Sequence, residues 1–556
     1  MAYVPNQSDF THPSLTIREE RIMRKLPLLV ATASLLVASM STTAAASPSE
    51  RDDAKNQPGS ITWGACASDR LTKAGAVCGM LSVPLDYERH HNRERIEIAV
   101  SMIKHSVPED QYQGIMLVNP GGPGGSGLGL SRLGQFVPNN GGAAYDWIGF
   151  DPRGVGSSKP ALICNPDITK GPRPDFVPST PAVEQELLAR AEKYADDCAK
   201  NAGPLLDHLK TIDNARDMDQ IRRALGKKQI NYYGFSYGTY LGQVYASVFP
   251  KRVRRMVLDS NVDARTIWYT SNLEQNVAFE GVFKEYYKWI ASYDDVYKLG
   301  KTADEVEKLF YATQDKLRAN PAGGVVGPDE WTDVVTSAGY NQGAWPGIAA
   351  LISEWVTTQD PKNLVAAYLD ASSPDSDNGY AMYLATICSE GEWPSDWDTW
   401  RHDNIVTAKA APFLTWDNAW FNAPCRTWHA ETAEPVEIDG SRVAPILLIG
   451  ETLDGATPFE GSLEARRQFP KASLVSSVGG TTHANSLNGY ACVDDVVAEY
   501  LATGKLPARQ SDDAADKACD APPLPVPDPP AAAPAPATAD PAPAPALPRQ
   551  QALARA

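Results

Sequence analysis

The architecture of this chain is written in Gln229-Ile230-Asn231-Tyr232-Tyr233-Gly234-Phe235-Ser236-Tyr237-Gly238-Thr239-Tyr240-Leu241-Gly242. Ile230 to Tyr233 is a short run of branched and aromatic residues, as in a β-strand. Thr239 to Phe249 has apolar residues at helical spacing (Tyr240, Leu241, Val244, Tyr245, Val248) and stops at Pro250. Between them stands Gly-x-Ser-x-Gly, which occurs once. A strand that turns sharply into a helix at such a serine is a nucleophile elbow. Only glycine lets neighbouring backbone pass so close to the serine. A glycine-rich turn without chemistry can use the same letters, so the partners of Ser236 must be sought elsewhere.

The 556 residues are 43% hydrophobic and 21% charged, a globular composition with room for several domains or one large domain with an insertion. A net charge of −17 sets aside nucleic acid and anionic membrane surfaces as partners. Met23-Arg24-Lys25, the apolar run Leu26 to Met40 and Ala44-Ala45-Ala46 read as a signal peptide over 1–46, with Met23 an alternative start. A secreted, extracellular chain without a membrane span after signal removal is expected, beginning with a flexible lead-in over 47–60. Eight cysteines, none in a Cys-x-x-Cys pair, read as disulfides rather than a metal site. Eight allow about a hundred connectivities. Nearest-neighbour pairing is the simplest: Cys66–Cys78, Cys164–Cys198, Cys388–Cys425 and Cys492–Cys519.

Upstream of the elbow, Ile96 to Ile103 alternates like a half-exposed strand, and Gly114 to Val118 is a continuous apolar run like a buried parallel strand. That run enters Asn119-Pro120-Gly121-Gly122-Pro123-Gly124-Gly125-Ser126-Gly127. No Gly-Lys-Ser/Thr follows, so a phosphate-binding P-loop fails. Prolines and the lack of a following acidic residue weaken a dinucleotide fingerprint. An oxyanion loop fits best, with the N–H groups of Gly122 and Tyr237 as donors. Tyr145 to Phe150 is the next strand, and Asp151 and Arg153 in the turn after it read as a structural ion pair. Val183 to Ala199 and Thr211 to Leu225 read as helices, and Arg255 to Asp259 as a strand.

The hydrolytic core is thus expected over 61–278 and again over 439–521. The interval 279–438, rich in Trp and Tyr at helical spacing, reads as an inserted helical cap. Val443 to Gly450 and Ser473 to Val478 resume the sheet, and Val493 to Leu501 closes it. Residues 522–556 are a Pro/Ala-rich tail expected to be disordered.

Alternating strands and helices imply an α/β fold with a mostly parallel sheet. With a serine elbow in such a fold, the triad runs Ser, acid, His along the chain. Of eight histidines only His483 lies beyond position 429, in the small-residue loop Gly479-Gly480-Thr481-Thr482-His483. Asp454, after the strand Val443 to Gly450, is the acid, with Asp259 and Glu451 its competitors. A serine needs a base to take its proton, and the acid fixes the base's tautomer. That chemistry calls for no cofactor.

These motifs together resemble the secreted tripeptidyl aminopeptidases, relatives of prolyl aminopeptidase within the α/β-hydrolases. The resemblance rests on 119–127, Asp151-Pro152-Arg153-Gly154-Val155-Gly156-Ser157-Ser158, Gly234 to Gly238, Asp454-Gly455-Ala456-Thr457-Pro458 and His483. It implies an α/β-hydrolase fold whose cap closes over the cleft. It also implies a serine exopeptidase that releases short N-terminal fragments, tripeptides above all, through an acyl-enzyme, with peptides as substrates. Acidic cap residues would hold the substrate's ammonium, and the resemblance points to Glu390 for that contact. The rival reading is an esterase on the same scaffold.

Overall fold

The computed structural model describes residues 59–89, 94–168, 170–371 and 376–527. The signal segment, nearly all of the lead-in and the tail beyond 527 lie outside the described residues. Among the described residues ten strands form one sheet: β1 (Gly64–Ala65), β2 (Val77–Pro84), β3 (Arg95–Ile103), β4 (Ile115–Asn119), β5 (Asp146–Phe150), β6 (Ile230–Phe235), β7 (Val253–Asp259), β8 (Leu447–Glu451), β9 (Ser473–Val478) and β10 (Lys517–Asp520). Their order is β1-β2-β3-β5-β4-β6-β7-β8-β9-β10. The strands from β1 to β5 along that order pair antiparallel, and all pairs from β5–β4 to β9–β10 are parallel.

The central strands are buried on both faces, which is why they read as unbroken apolar runs. Their alternate side chains feed two cores. Leu117, Tyr232, Met256, Leu258 and Leu448 pack with Met218 and Ile221 of α1 (Thr211–Ala224) and with Tyr240, Leu241 and Val244 of α2 (Tyr237–Val248). Met116, Val118, Tyr233, Phe235, Val257 and Ile449 pack on the opposite face, where the closing helix supplies Val493, Val497 and Leu501. In register, Asn119 pairs with Gly234, Phe235 with Asp259 and Glu451 with Ser477. The loops after β4, β6, β7, β8 and β9 therefore all leave one edge of the sheet.

Between β7 and β8 the described residues are helical, from α3 (Tyr269–Ser292) through α4 (Pro328–Tyr340) to α5 (Thr415–Asn422), and add no strand to the sheet. This part has its own aromatic core, with Phe283 stacked on Phe413 at 3.6 Å beside Tyr286, Trp331 and Trp345. Its first helix begins at Tyr269, earlier than the sequence pattern marks, because polar Ser271, Asn272, Glu274 and Gln275 thin the apolar stripe there. The strand expected from Val443 starts only at Leu447, since Pro445 has no N–H for the ladder. The edge strands β1 and β10, and β2 beside β1, carry no clear mark in the sequence.

One expectation is corrected. Arg153 does not pair with Asp151. Its guanidinium is fully buried and grips Asp217 of α1 through Nε and Nη2, both at 2.8 Å. Asp151 instead accepts from Ser126 Oγ at 2.6 Å, the Gly127 N–H at 3.0 Å and the Ser157 N–H at 2.7 Å. Each side chain finds partners brought to it by the fold rather than by the local turn. The four disulfides are Cys66–Cys78, Cys164–Cys198, Cys388–Cys425 and Cys492–Cys519.

After β10 the chain crosses to the helical part. Pro525 O accepts from Trp289 Nε1 of α3 at 2.8 Å, and Pro523 O accepts from Gln342 Nε2 at 3.3 Å. Ending the chain at Asp520 deletes both bonds. Thermal unfolding should then show a loss of about 1–2 kcal/mol against a chain ending at Pro527, which keeps them; identical melting curves would show that these contacts add nothing.

Candidate active site

Ser236 joins β6 to α2 with φ 56° and ψ −129°, a left-handed strain that a non-glycine residue tolerates only when its surroundings enforce it. The flanking glycines allow the packing. A Cβ on Gly234 would lie 2.4 Å from Gly238 O, and one on Gly238 would lie 2.7 Å from Asn119 O. The loop after β4 closes on the same turn: a Cβ on Gly121 would lie 2.8 Å from Ser236 Cβ and 2.5 Å from Phe235 O. The Gly121 N–H donates to Asn119 Oδ1 at 2.9 Å. Gly122 follows and is exposed, whereas Gly121 is buried. Tyr237 opens α2, where a helix's first N–H groups have no partner within the helix.

His483, in the loop after β9, is 3% exposed. Its Nδ1 lies 2.9 Å and 3.0 Å from the two carboxylate oxygens of Asp454, which sits in the loop after β8. The same carboxylate accepts from the N–H groups of Ala456 at 2.8 Å and Thr457 at 3.0 Å, and from Thr457 Oγ1 at 2.9 Å. Burial alone would push the Asp454 carboxyl up. The charge and hydrogen bond of His483, with those donors, outweigh it and hold the group below the usual Asp value. For His483, burial favours the neutral ring, but Asp454, with a smaller part from Asp259, raises it above the ordinary value of 6.5.

The two competitors for the acid role lie close by with different partners. Asp259, at the end of β7, takes the Ser486 N–H at 2.9 Å and is pushed by burial up to about 6. Glu451, at the end of β8, takes Asn485 Nδ2 at 2.9 Å and is pushed by burial up to about 8. Both thus tether the loop that carries His483, and Ser260 Oγ adds a third tie by accepting the Ala484 N–H at 2.8 Å. The helical part also reaches this loop. Tyr340 O, at the end of α4, accepts the His483 N–H at 2.8 Å, and the Tyr340 ring stands edge-on to the imidazole at 5.7 Å.

Glu390 is 4% exposed and reaches the elbow through Thr211, which lies against Tyr237. One oxygen accepts the Thr211 N–H and the other accepts Thr211 Oγ1 at 3.0 Å. Burial pushes the group up to about 7 against those two bonds. Sequence reading missed Thr457, Ser260 and Tyr340. Thr457 stands in the stretch Asp454 to Pro458, where an Asp that bonds backbone two and three residues on is a recognisable turn. Nothing local marks Ser260 or Tyr340.

A family model described as "TAP-like protein" matches residues 411–519, which include Asp454 and His483. The chain is 39% identical to the Tripeptidyl aminopeptidase of Streptomyces lividans, covering 81% of this chain and 86% of that protein. It is 29% identical to the Serine protease Hip1 of Mycobacterium tuberculosis, covering 80% and 89%. It is also 29% identical to the Carboxylesterase B of the same organism, covering 80% and 88%.

The raised His483 sets a pH dependence for a hydrolysis that uses this ring as base. The ring must be neutral to take a proton, so kcat/KM should fall as pH drops through a midpoint above 6.5. Asp454→Asn removes the support for the imidazolium. It should move that midpoint down and lower kcat by roughly ten-thousandfold; an unmoved acid limb in the variant would separate His483 from Asp454. With the elbow, the buried acid–imidazole pair and the glycine loop at one sheet edge, and with these relatives, the chain belongs to the tripeptidyl aminopeptidase family of α/β-hydrolase serine peptidases.

Proposed function

We propose that the protein is a secreted aminopeptidase that releases short N-terminal fragments, tripeptides above all, from peptides. The observation that carries the reading is the buried His483–Asp454 pair, in loops that leave the same sheet edge as the strained Ser236 turn. Ser236 Oγ attacks the scissile carbonyl carbon while His483 Nε2 takes the hydroxyl proton. Asp454, bonded at Nδ1, fixes the tautomer and steadies the imidazolium. The N–H groups of Gly122 and Tyr237 hold the negative oxygen of the tetrahedral intermediate. His483 then passes its proton to the leaving amine as the C–N bond breaks, which leaves an ester on Ser236. Water repeats the sequence and frees the acid.

The ammonium contact that the resemblance gave to Glu390 is better met elsewhere in the cap, because Thr211 occupies both Glu390 oxygens. Asp417 of α5 is partly buried, and burial with the Asp333 carboxylate beside it pushes it up to about 8. Arg173, a cation that acts on Asp417, is bonded to Asp333 and Glu330. A substrate ammonium would neutralise this excess of carboxylates. Four disulfides suit an extracellular site, and no described helix is long and apolar enough to cross a membrane.

The likeness to a carboxylesterase keeps ester hydrolysis as the second reading. Matched tripeptide amides, their N-acetylated forms and simple esters separate the two. Unblocked amides should be cleaved with release of the intact tripeptide, N-acetylation should cut kcat/KM by at least about tenfold, and Ser236→Ala should abolish all turnover in a folded protein. Hydrolysis of esters alone, or equal rates with and without the acetyl group, would overturn the aminopeptidase reading.

A further inference from the structure

Glu390 is a buried carboxylate with no part in the proton transfers above, and its contacts lead to the residue after the nucleophile. Thr211 is the first residue of α1, and the residue before it, Lys210, gives that helix no side-chain cap. Glu390 supplies the missing acceptor from across the fold by taking the Thr211 N–H. Its second oxygen accepts a hydrogen bond from the Thr211 hydroxyl at 3.0 Å. With that proton committed, Thr211 Oγ1 is left to accept, and Tyr237 Oη lies 2.8 Å away. With Glu390 ionised, the Tyr237 hydroxyl donates to Thr211, which donates to Glu390.

Tyr237 is also the residue whose N–H faces the developing oxyanion in the proposed mechanism. Its ring is 3% exposed and is clamped from the other side by Trp268 and Tyr240, with ring centroids 6.1 Å and 6.4 Å away. The ring and the N–H share one Cα, so anchoring the hydroxyl fixes the tilt of the peptide that presents the donor. Glu390 is held in turn at the end of the segment that Cys388 ties to Cys425.

We infer that Glu390 is a positioning residue for the oxyanion donor, acting through Thr211 on Tyr237, rather than a contact for the substrate. The inference rests on the serine-hydrolase reading and on Tyr237 as a donor. An oxyanion donor aimed at the transition state affects kcat, whereas an ammonium contact made equally in ground and transition states affects KM.

The test measures kcat and KM on one unblocked tripeptide amide for Glu390→Gln, Tyr237→Phe and the double variant, with folding checked by circular dichroism and thermal unfolding. Each single change should lower kcat about tenfold, less than outright loss of a donor, and leave KM within about twofold of wild type. The double variant should be no slower than the worse single one, because both changes cut the same chain of bonds. Thr211→Val should reproduce the loss, and Thr211→Ser, which restores the hydroxyl, should recover it. If Glu390→Gln does not fold, the Tyr237 and Thr211 variants carry the test without it. Wild-type kcat in folded variants, multiplicative losses in the double variant, or a raised KM with unchanged kcat would overturn the inference. Its failure is distinct from failure of the hydrolase reading, in which wild-type protein would lack activity that depends on Ser236.

Discussion

One imidazole stands among three buried carboxylates, and the site depends on Asp454 being the one that holds its charge most readily. Asp454 receives two backbone N–H groups, the Thr457 hydroxyl and the His483 ring, and is held below its usual value. Asp259 and Glu451 have fewer donors and are pushed up by burial to about 6 and about 8. Three full negative charges so close in a dry interior would repel strongly and pull the imidazole far up its titration. Unequal numbers of hydrogen-bond donors set the three titrations apart. The carboxylate with the most hydrogen-bond donors is the ionised partner of His483, and the other two hold the loop that carries the ring through Ser486 and Asn485.

The sheet edge brings this about by register. Parallel strands that end level with one another deliver five loops to one place, and each loop contributes one part: glycine backbone after β4, the serine after β6, Ser260 after β7, Asp454 after β8 and His483 after β9. The helical insertion joins the same place through the bond from the His483 N–H to Tyr340 O and through the Gln342 N–H to Thr482 Oγ1 at 3.3 Å. The helical part is thereby bonded directly to the loop of the base. The crossing of the C-terminal segment from β10 to Trp289 adds a second tie between the two parts.

Most of the sheet and the three residues of the proposed triad were legible because their signals are local. Strands buried on both faces are written as apolar runs, and the elbow is written as a serine between glycines whose Cβ positions are filled by neighbouring backbone. The order serine, acid, histidine follows from the order of strands in a parallel sheet. The choice of Asp454 over Asp259 and Glu451 also came out of position and a glycine turn, and the hydrogen bonds to His483 Nδ1 agree with it. What was not legible lies on edges and in contacts between distant segments. Strands β2, next to the edge, and β10, at the edge, have mixed polarity, and polar residues at the start of α3 hide that helix's true beginning.

The fold class, the proposed nucleophile, base and acid, and the pairing of neighbouring cysteines could all be read from the order of residues, because each depends on near neighbours in the chain or on strand order. The partners of two buried charges could not. Arg153 grips Asp217 rather than Asp151, and Glu390 is bonded to Thr211. A buried charge must be met by hydrogen-bond partners wherever the fold supplies them. For both residues those partners come from helix α1, remote in sequence and adjacent in space, so only the folded chain fixes them.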